Sequence, residues 1–206
     1  MPSTLVGLKR VLTWSDFGTP VKKAPPAPGK TATAAFTFAQ YGSKGIGAEV
    51  VPGSKPAAYR LRDNVTMTVQ FAKAKSWVAD WVFKQSATFQ KDLLKHEQGH
   101  YLVAAFLGRD HFIDLMQLKA GHFSSSGKFT TALNAVNARY KGKSKAIHQA
   151  YDDDTNSGLV PGQQARWDGF FRNAFTKPRT PEQYAPDGML YKLPLLEVLA
   201  AGGVSL

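Results

Sequence analysis

The sequence contains no cysteine. That absence excludes disulfides and every thiolate zinc cluster, so any metal must be held by histidine, aspartate or glutamate. Long apolar runs are also missing. None reaches the roughly 18–20 residues that a membrane-spanning helix needs. Acid is scarce: 15 Asp and Glu stand against 26 Lys and Arg, a formal charge of +11. The shortage is uneven, because only 5 of the acidic residues but 14 of the basic ones precede residue 96. A basic half favours anionic partners such as nucleic acid, an envelope polymer or acidic peptides. Its lysines and arginines are scattered, however ("KR", "KK", "AKAK"), and no nucleic-acid-binding motif accompanies them. A solvated surface is the simpler reading, and no specific nucleic-acid partner is expected. The opening "MPSTLVGLKRVLTWSDF" has Lys9 and Arg10 where a signal peptide needs apolar residues, which predicts no leader in this chain and the cytoplasm as default compartment.

What remains is ordinary for a folded protein: 206 residues, 43% of them apolar, enough for one domain with a hydrophobic core. No internal repeat is present. "GTPVKKAPPAPGK" (18–30) reads as an extended loop, and "TATAAFTFAQYG" (31–42) as a strand. In "VTMTVQF", Val65, Met67, Val69 and Phe71 alternate with Thr66, Thr68 and Gln70, the period of a strand with one face buried. "SWVADWVF" (76–83) either extends the sheet or turns into the next element, with its tryptophans in the core.

From Ser86 or Thr88 apolar residues recur at three- and four-residue steps, predicting a helix that stops at Gly108. "FIDLMQLKAGHF" predicts a second helix, and Leu133, Val136, Tyr140 and Ile147 a long third one over about 130–151. Pro161 can open a last helix, since proline is tolerated in a first turn. The tail carries a turn at Pro186-Asp187-Gly188. The expected fold is α+β within a single domain, 1–206. Residues 1–85 are mainly strands and loops, 86–175 mainly helices, and 176–206 a C-terminal extension.

"LLKHEQGHYLVAAF" carries the chemistry. On a helix, residues four apart rise about 6 Å and share a face, so His96 and His100 can aim both imidazoles at one point. Glu97, roughly 100° round the helix, is badly placed as a third ligand but well placed as a general base toward water at the metal. This is the H-E-x-x-H arrangement of zinc hydrolases. Gly99, unfavourable in a helix by about 1 kcal/mol relative to alanine, would leave room for backbone or substrate to approach.

Zinc needs a third protein ligand. The metzincin extension would put glycine at 103 and histidine at 106; Val103 and Phe106 exclude it. Asp110 and His111 lie too far along an unbroken helix and would reach only if the chain doubled back at Gly108, and His122 has no supporting pattern. The acidic run Asp152, Asp153 and Asp154 is the better source, with His148 just before it. Negative charge at a helix C-terminus is unfavourable unless a cation lies nearby.

Three blocks resemble a largely uncharacterised bacterial family of secreted-type zinc-dependent proteases in the zincin group. They are "LTWSDFGTP" (12–20), "SWV" (76–78) with "LLKHEQGHY" (93–101), and "YDDDTNSG" (151–158) with "QARW" (164–167). The resemblance spans residues 12 to about 170. It implies a zincin-like fold, with His96, His100 and Asp152 as zinc ligands and Glu97 as catalytic base. It also implies that Tyr151 steadies the oxyanion, and it allows export. Asp154 and Thr155 match acidic and threonine positions of the family's block. The chain departs at Ser157, where the family usually has histidine. If that histidine is a ligand in relatives, metal binding or activity is altered here.

The expected function is a zinc metallopeptidase acting on proteins or peptides, an acidic or cell-envelope substrate suiting the basic half. The alternatives are an inactive zincin-fold binding protein and a basic polyanion- or nucleic-acid-binding domain. In zincins a strand edge beside the active helix receives the peptide, and "VTMTVQF" is the candidate for that edge.

Overall fold

A computed structural model describes residues 3–25, 33–158, 160–176 and 194–206. The expected turn at Pro186-Asp187-Gly188, and parts of the 18–30 loop and 31–42 strand, lie outside them. The fold is α+β. Among the described residues, all strands precede residue 79 and the α-helices follow from residue 87.

The main sheet has the order β1 (Thr4–Val6), β6 (Thr66–Phe71), β3 (Ala39–Lys44). β6 runs parallel to β1, with Leu5 opposite Met67, and antiparallel to β3, with Tyr41 opposite Val69. Its alternation is realised as expected: Met67 and Val69 are buried and Gln70 is exposed. Each buried side chain contributes about 1.5–3 kcal/mol. The expectation that this strand offers a free edge is wrong, because β6 is paired on both sides. Two ribbons complete the β half. β2 (Ala35–Phe36) pairs antiparallel with β7 (Trp77–Val78), and β4 (Ala48–Val50) with β5 (Tyr59–Leu61). After β7 the chain turns through a 3-10 segment, Asp80–Lys84, that buries Trp81.

Ser86 caps the next helix, its hydroxyl oxygen accepting from the Phe89 N–H at 3.2 Å. That helix, α1 (Ala87–Ala120), runs 34 residues without a break, about 50 Å. The expected stop at Gly108 does not occur. A Cβ there would come within 2.9 Å of the Tyr41 side chain, so the glycine lets β3 lie directly on the helix. Every residue from Val103 to Leu115 is buried, as in a helix surrounded on all sides. α1 contributes to all three cores: Leu93 and Tyr101 to one with Phe17 and Val82, Phe106 and Leu107 to a second with Trp167 and Leu199, Phe112 and Leu115 to a third with Met67 and Phe129.

The predicted 130–151 helix is two helices, α2 (Ser126–Tyr140) and α3 (Lys143–Thr155). Gly142 separates them in the left-handed region (φ 76°), which a glycine adopts without strain. Pro161 opens α4 (Pro161–Thr176) as expected, and α5 (Leu195–Ala201) closes the helical half. Among the described residues, no helix is long and apolar enough to cross a membrane.

Candidate metal centre

His96, Glu97 and His100 occupy one buried turn of α1, and α3 lies across it. The contact depends on Gly99: a Cβ at that position would collide with the Tyr151 hydroxyl. Tyr151 therefore fills the space over the glycine that the sequence left for backbone or substrate. Its ring stacks on His96 (centroids 4.5 Å apart, 21° between planes) and meets His100 edge-on at 5.1 Å. After α3 the chain makes a left-handed run, Asn156, Ser157 and Gly158 (φ 49°, 53° and 84°). Gly158 comes so close to His96 that a Cβ would lie 2.8 Å from the His96 Cβ.

This packing carries Asp152 to the two imidazoles. Asp152 Oδ1 lies 3.1 Å from His96 Nε2 and 3.1 Å from His100 Nε2, and the two nitrogens are 3.2 Å apart. His96, His100 and Asp152 form a group that could hold a metal ion. Three ligands bound at about 2.0–2.1 Å in a tetrahedral arrangement are separated by roughly 3.3 Å, so the triangle has the size zinc requires.

The other ring nitrogens are satisfied in a way that leaves both Nε2 lone pairs pointing at that triangle. Thr155 donates its hydroxyl hydrogen to the Tyr151 carbonyl (2.6 Å), so its oxygen can accept from His96 Nδ1–H at 3.3 Å. Gln164 Oε1 is a second acceptor for the same N–H at 3.4 Å. His100 Nδ1 lies 2.9 Å from His148 Nδ1, and a His100 N–H donating there fixes the same tautomer. Two lone pairs and a carboxylate converging without a positive charge would repel, so the arrangement calls for a proton or a cation.

The electrostatics agree. Burial disfavours charge on His100, but the hydrogen bond to Asp152 and the nearby Glu97 and Asp152 carboxylates outweigh it and raise its pKa. Burial alone would raise the Asp152 pKa, yet the hydrogen bonds to His100 and His96 hold it well below the usual carboxylate range. His148 is pushed down to about 3 by burial and by the neighbouring His100, against a smaller opposing pull from Asp152.

Glu97 is the odd member. Its Oε2 is buried with no hydrogen-bond partner among the described residues. The residue lines a cavity of about 420 Å³ together with His96, His100, Asp152, Ser157 and the Thr33–Phe36 segment.

The structure thus sorts the expected site residues. His96, His100, Glu97 and Asp152 come together. Asp153 is exposed and accepts from Gln149 Nε2 at 2.8 Å. Asp154 accepts from Trp167 Nε1 at 3.0 Å and from Arg166 at 3.4 Å, so it ties α3 to α4. His148 stands behind His100, against its Nδ1, and outside the group His96, His100 and Asp152. Asp110 and His111 lie far along the unbroken α1, and His122 is exposed. Tyr151, expected to steady an oxyanion, is fully buried and outside the cavity lining, its hydroxyl held by the Gln164 side chain (2.8 and 3.0 Å) and the His96 carbonyl (3.2 Å). Gln164 and Thr155 are supporting residues whose roles the sequence pattern did not reveal. Both were visible only as members of the resembling blocks, since nothing local connects them to His96. A scan against family models and searches of curated proteins and of solved structures found no match to this chain.

Proposed function

We propose that this protein is a zinc-dependent metallopeptidase with a zincin-like arrangement, in which His96, His100 and Asp152 hold the metal and Glu97 is the general base. The observation that carries this reading is the buried, unpartnered Glu97 Oε2 beside a triangle of ligand atoms with edges of 3.1–3.2 Å. An ionisable oxygen buried without a partner is expensive in a purely structural cluster, costing about 1–3 kcal/mol or more. It is what a base needs in order to receive a proton.

Zinc, when bound, supplies a Lewis acid that polarises a carbonyl and makes water easier to deprotonate. Glu97 takes the proton of the attacking water and returns it to the leaving amine. Tyr151, Thr155 and Gln164 keep the His96 ring in orientation, and His148 does the same for His100. β2 replaces β6 as the strand that receives the substrate. Among the described residues it is paired with β7 alone, and it lines the cavity through Ala35 and Phe36, so its other edge suits an extended peptide. The resemblance of the HEQGH and YDDDT blocks to zinc-dependent proteases supports the same reading.

The test pairs metal analysis with one substitution. Purified protein should bind about one zinc per chain. Glu97→Gln should keep that zinc and the fold while peptide hydrolysis drops at least about 100-fold. Protein that cannot be loaded with zinc, or a Glu97→Gln variant as active as the parent, overturns the reading.

A further inference from the structure

A second cavity, of about 540 Å³, adjoins the first, with Phe36, His100, Gln149 and Asp152 lining both. Its apolar wall includes Phe36 and Phe38. Among its polar groups, Thr37 is 5% exposed, and its hydroxyl oxygen is buried without a partner among the described residues. Lys145 also lines the cavity, is exposed and makes no ion pair among the described residues. His148 contributes a third group. With its Nδ1 accepting from His100, it carries its own hydrogen on Nε2. Asp152 is the single carboxylate in the lining, and its Oδ1 faces the two histidines. Lys75 adds positive charge nearby, its Nζ 4.5 Å from the Phe38 ring centroid.

A cavity with an aromatic wall, an ammonium and further hydrogen-bond donors is complementary to a side chain with an aliphatic stem and an anionic end. We infer that the Phe36–Phe38 cavity is a specificity subsite for an acidic residue, glutamate above aspartate, next to the scissile bond of a peptide substrate. Lys145 supplies the countercharge, Thr37 a hydrogen bond, and the two phenyl rings the surface for the methylene groups. The charge-assisted bond provides the discrimination. The overall charge of +11 draws acidic segments toward the cleft. The inference rests on the metallopeptidase reading, but its binding component can be measured without hydrolysis.

Zinc-loaded Glu97→Gln protein is titrated with short blocked peptides that differ at one position, Glu, Gln or Lys. Zinc-loaded parent protein is given the same peptides, and cleavage products are identified by mass. The Glu peptide should bind and be cleaved about tenfold better than the Gln peptide, and the Lys peptide worst. Lys145→Glu should reverse the order of Glu and Lys with zinc content unchanged, and Thr37→Val should weaken the Glu peptide alone. Cleavage indifferent to charge, or a preference untouched by Lys145→Glu, overturns the subsite and leaves the peptidase standing. Charge-selective binding with no hydrolysis keeps the cavity as an acidic-residue binding site and overturns its place beside a scissile bond. Neither binding nor cleavage removes both.

Discussion

Helix α1 carries two buried polar clusters about 20 Å apart along its axis, and they are built on opposite principles. Around residues 109–114, charges are matched by protein partners. Arg109 donates to Asp110 Oδ1 from Nε and Nη2 (2.8 and 2.6 Å) and to the Ala174 carbonyl near the end of α4 (2.7 Å). Asp110 Oδ2 accepts from the Leu195 N–H at the start of α5 (2.7 Å). Asp114 accepts from Tyr140 and Arg139. One atom there is left over, His111 Nδ1, on a ring between Tyr41 and Tyr140. That cluster fastens α4 and α5 to α1. Around residues 96–100, by contrast, the ligand atoms face one another, and their outer partners hold them in that pose. In the first cluster every charged group has a protein partner, and the one leftover atom belongs to a ring that takes no part in the ion pairs. The second calls for a proton or a cation at its centre.

The difference can be broken from either side. The largest effect should come from Arg109→Ala, which leaves the Asp110 carboxylate buried without its countercharge. Denaturant unfolding should show a loss of about 3–5 kcal/mol. Zinc bound per folded chain should stay the same. Next is Gly99→Ala. At an exposed helix site this change stabilises by about 1 kcal/mol. Here the added methyl meets the Tyr151 hydroxyl, so the sign should reverse to a loss of about 1–3 kcal/mol, with weaker zinc binding as well. Gln164→Leu removes one of two acceptors for His96 Nδ1–H. A chelator competition should read about a tenfold loss of zinc affinity, the low end for an outer partner because Thr155 remains.

The smallest effect is on pH. The pKa of His100 is raised above 6.5, and zinc must displace that proton. The stabilisation that zinc gives the protein should therefore shrink as pH falls through the His100 titration, beginning above pH 6.5. Melting temperatures with and without zinc, compared across pH, check the sign. A zinc effect that grows on acidification would contradict it.

How much of this could be read from the residues follows from how local each feature is. His96, Glu97 and His100 lie within one turn, so spacing alone placed them on one face. The alternation of Val65 to Phe71 identified a strand. Its place in the sheet could not be read, because β1 and β3 come from distant parts of the chain. Gly108 was misleading for the same reason: its function is to admit Tyr41, some 70 residues earlier, and not to end the helix. Gly142 was a local signal that apolar spacing across it concealed. The acidic run pointed to a nearby cation, but only the contact of Tyr151 with Gly99 determines that Asp152, and not its two neighbours, faces the histidines.

The most direct test of the central claim is X-ray absorption at the zinc edge on the loaded protein and on Asp152→Ala. The account predicts two imidazole nitrogens and additional light-atom oxygen ligands at about 2.0–2.2 Å, with one oxygen scatterer changed and affinity reduced in the variant. A spectrum lacking paired imidazole scattering, or one identical in Asp152→Ala, would contradict it.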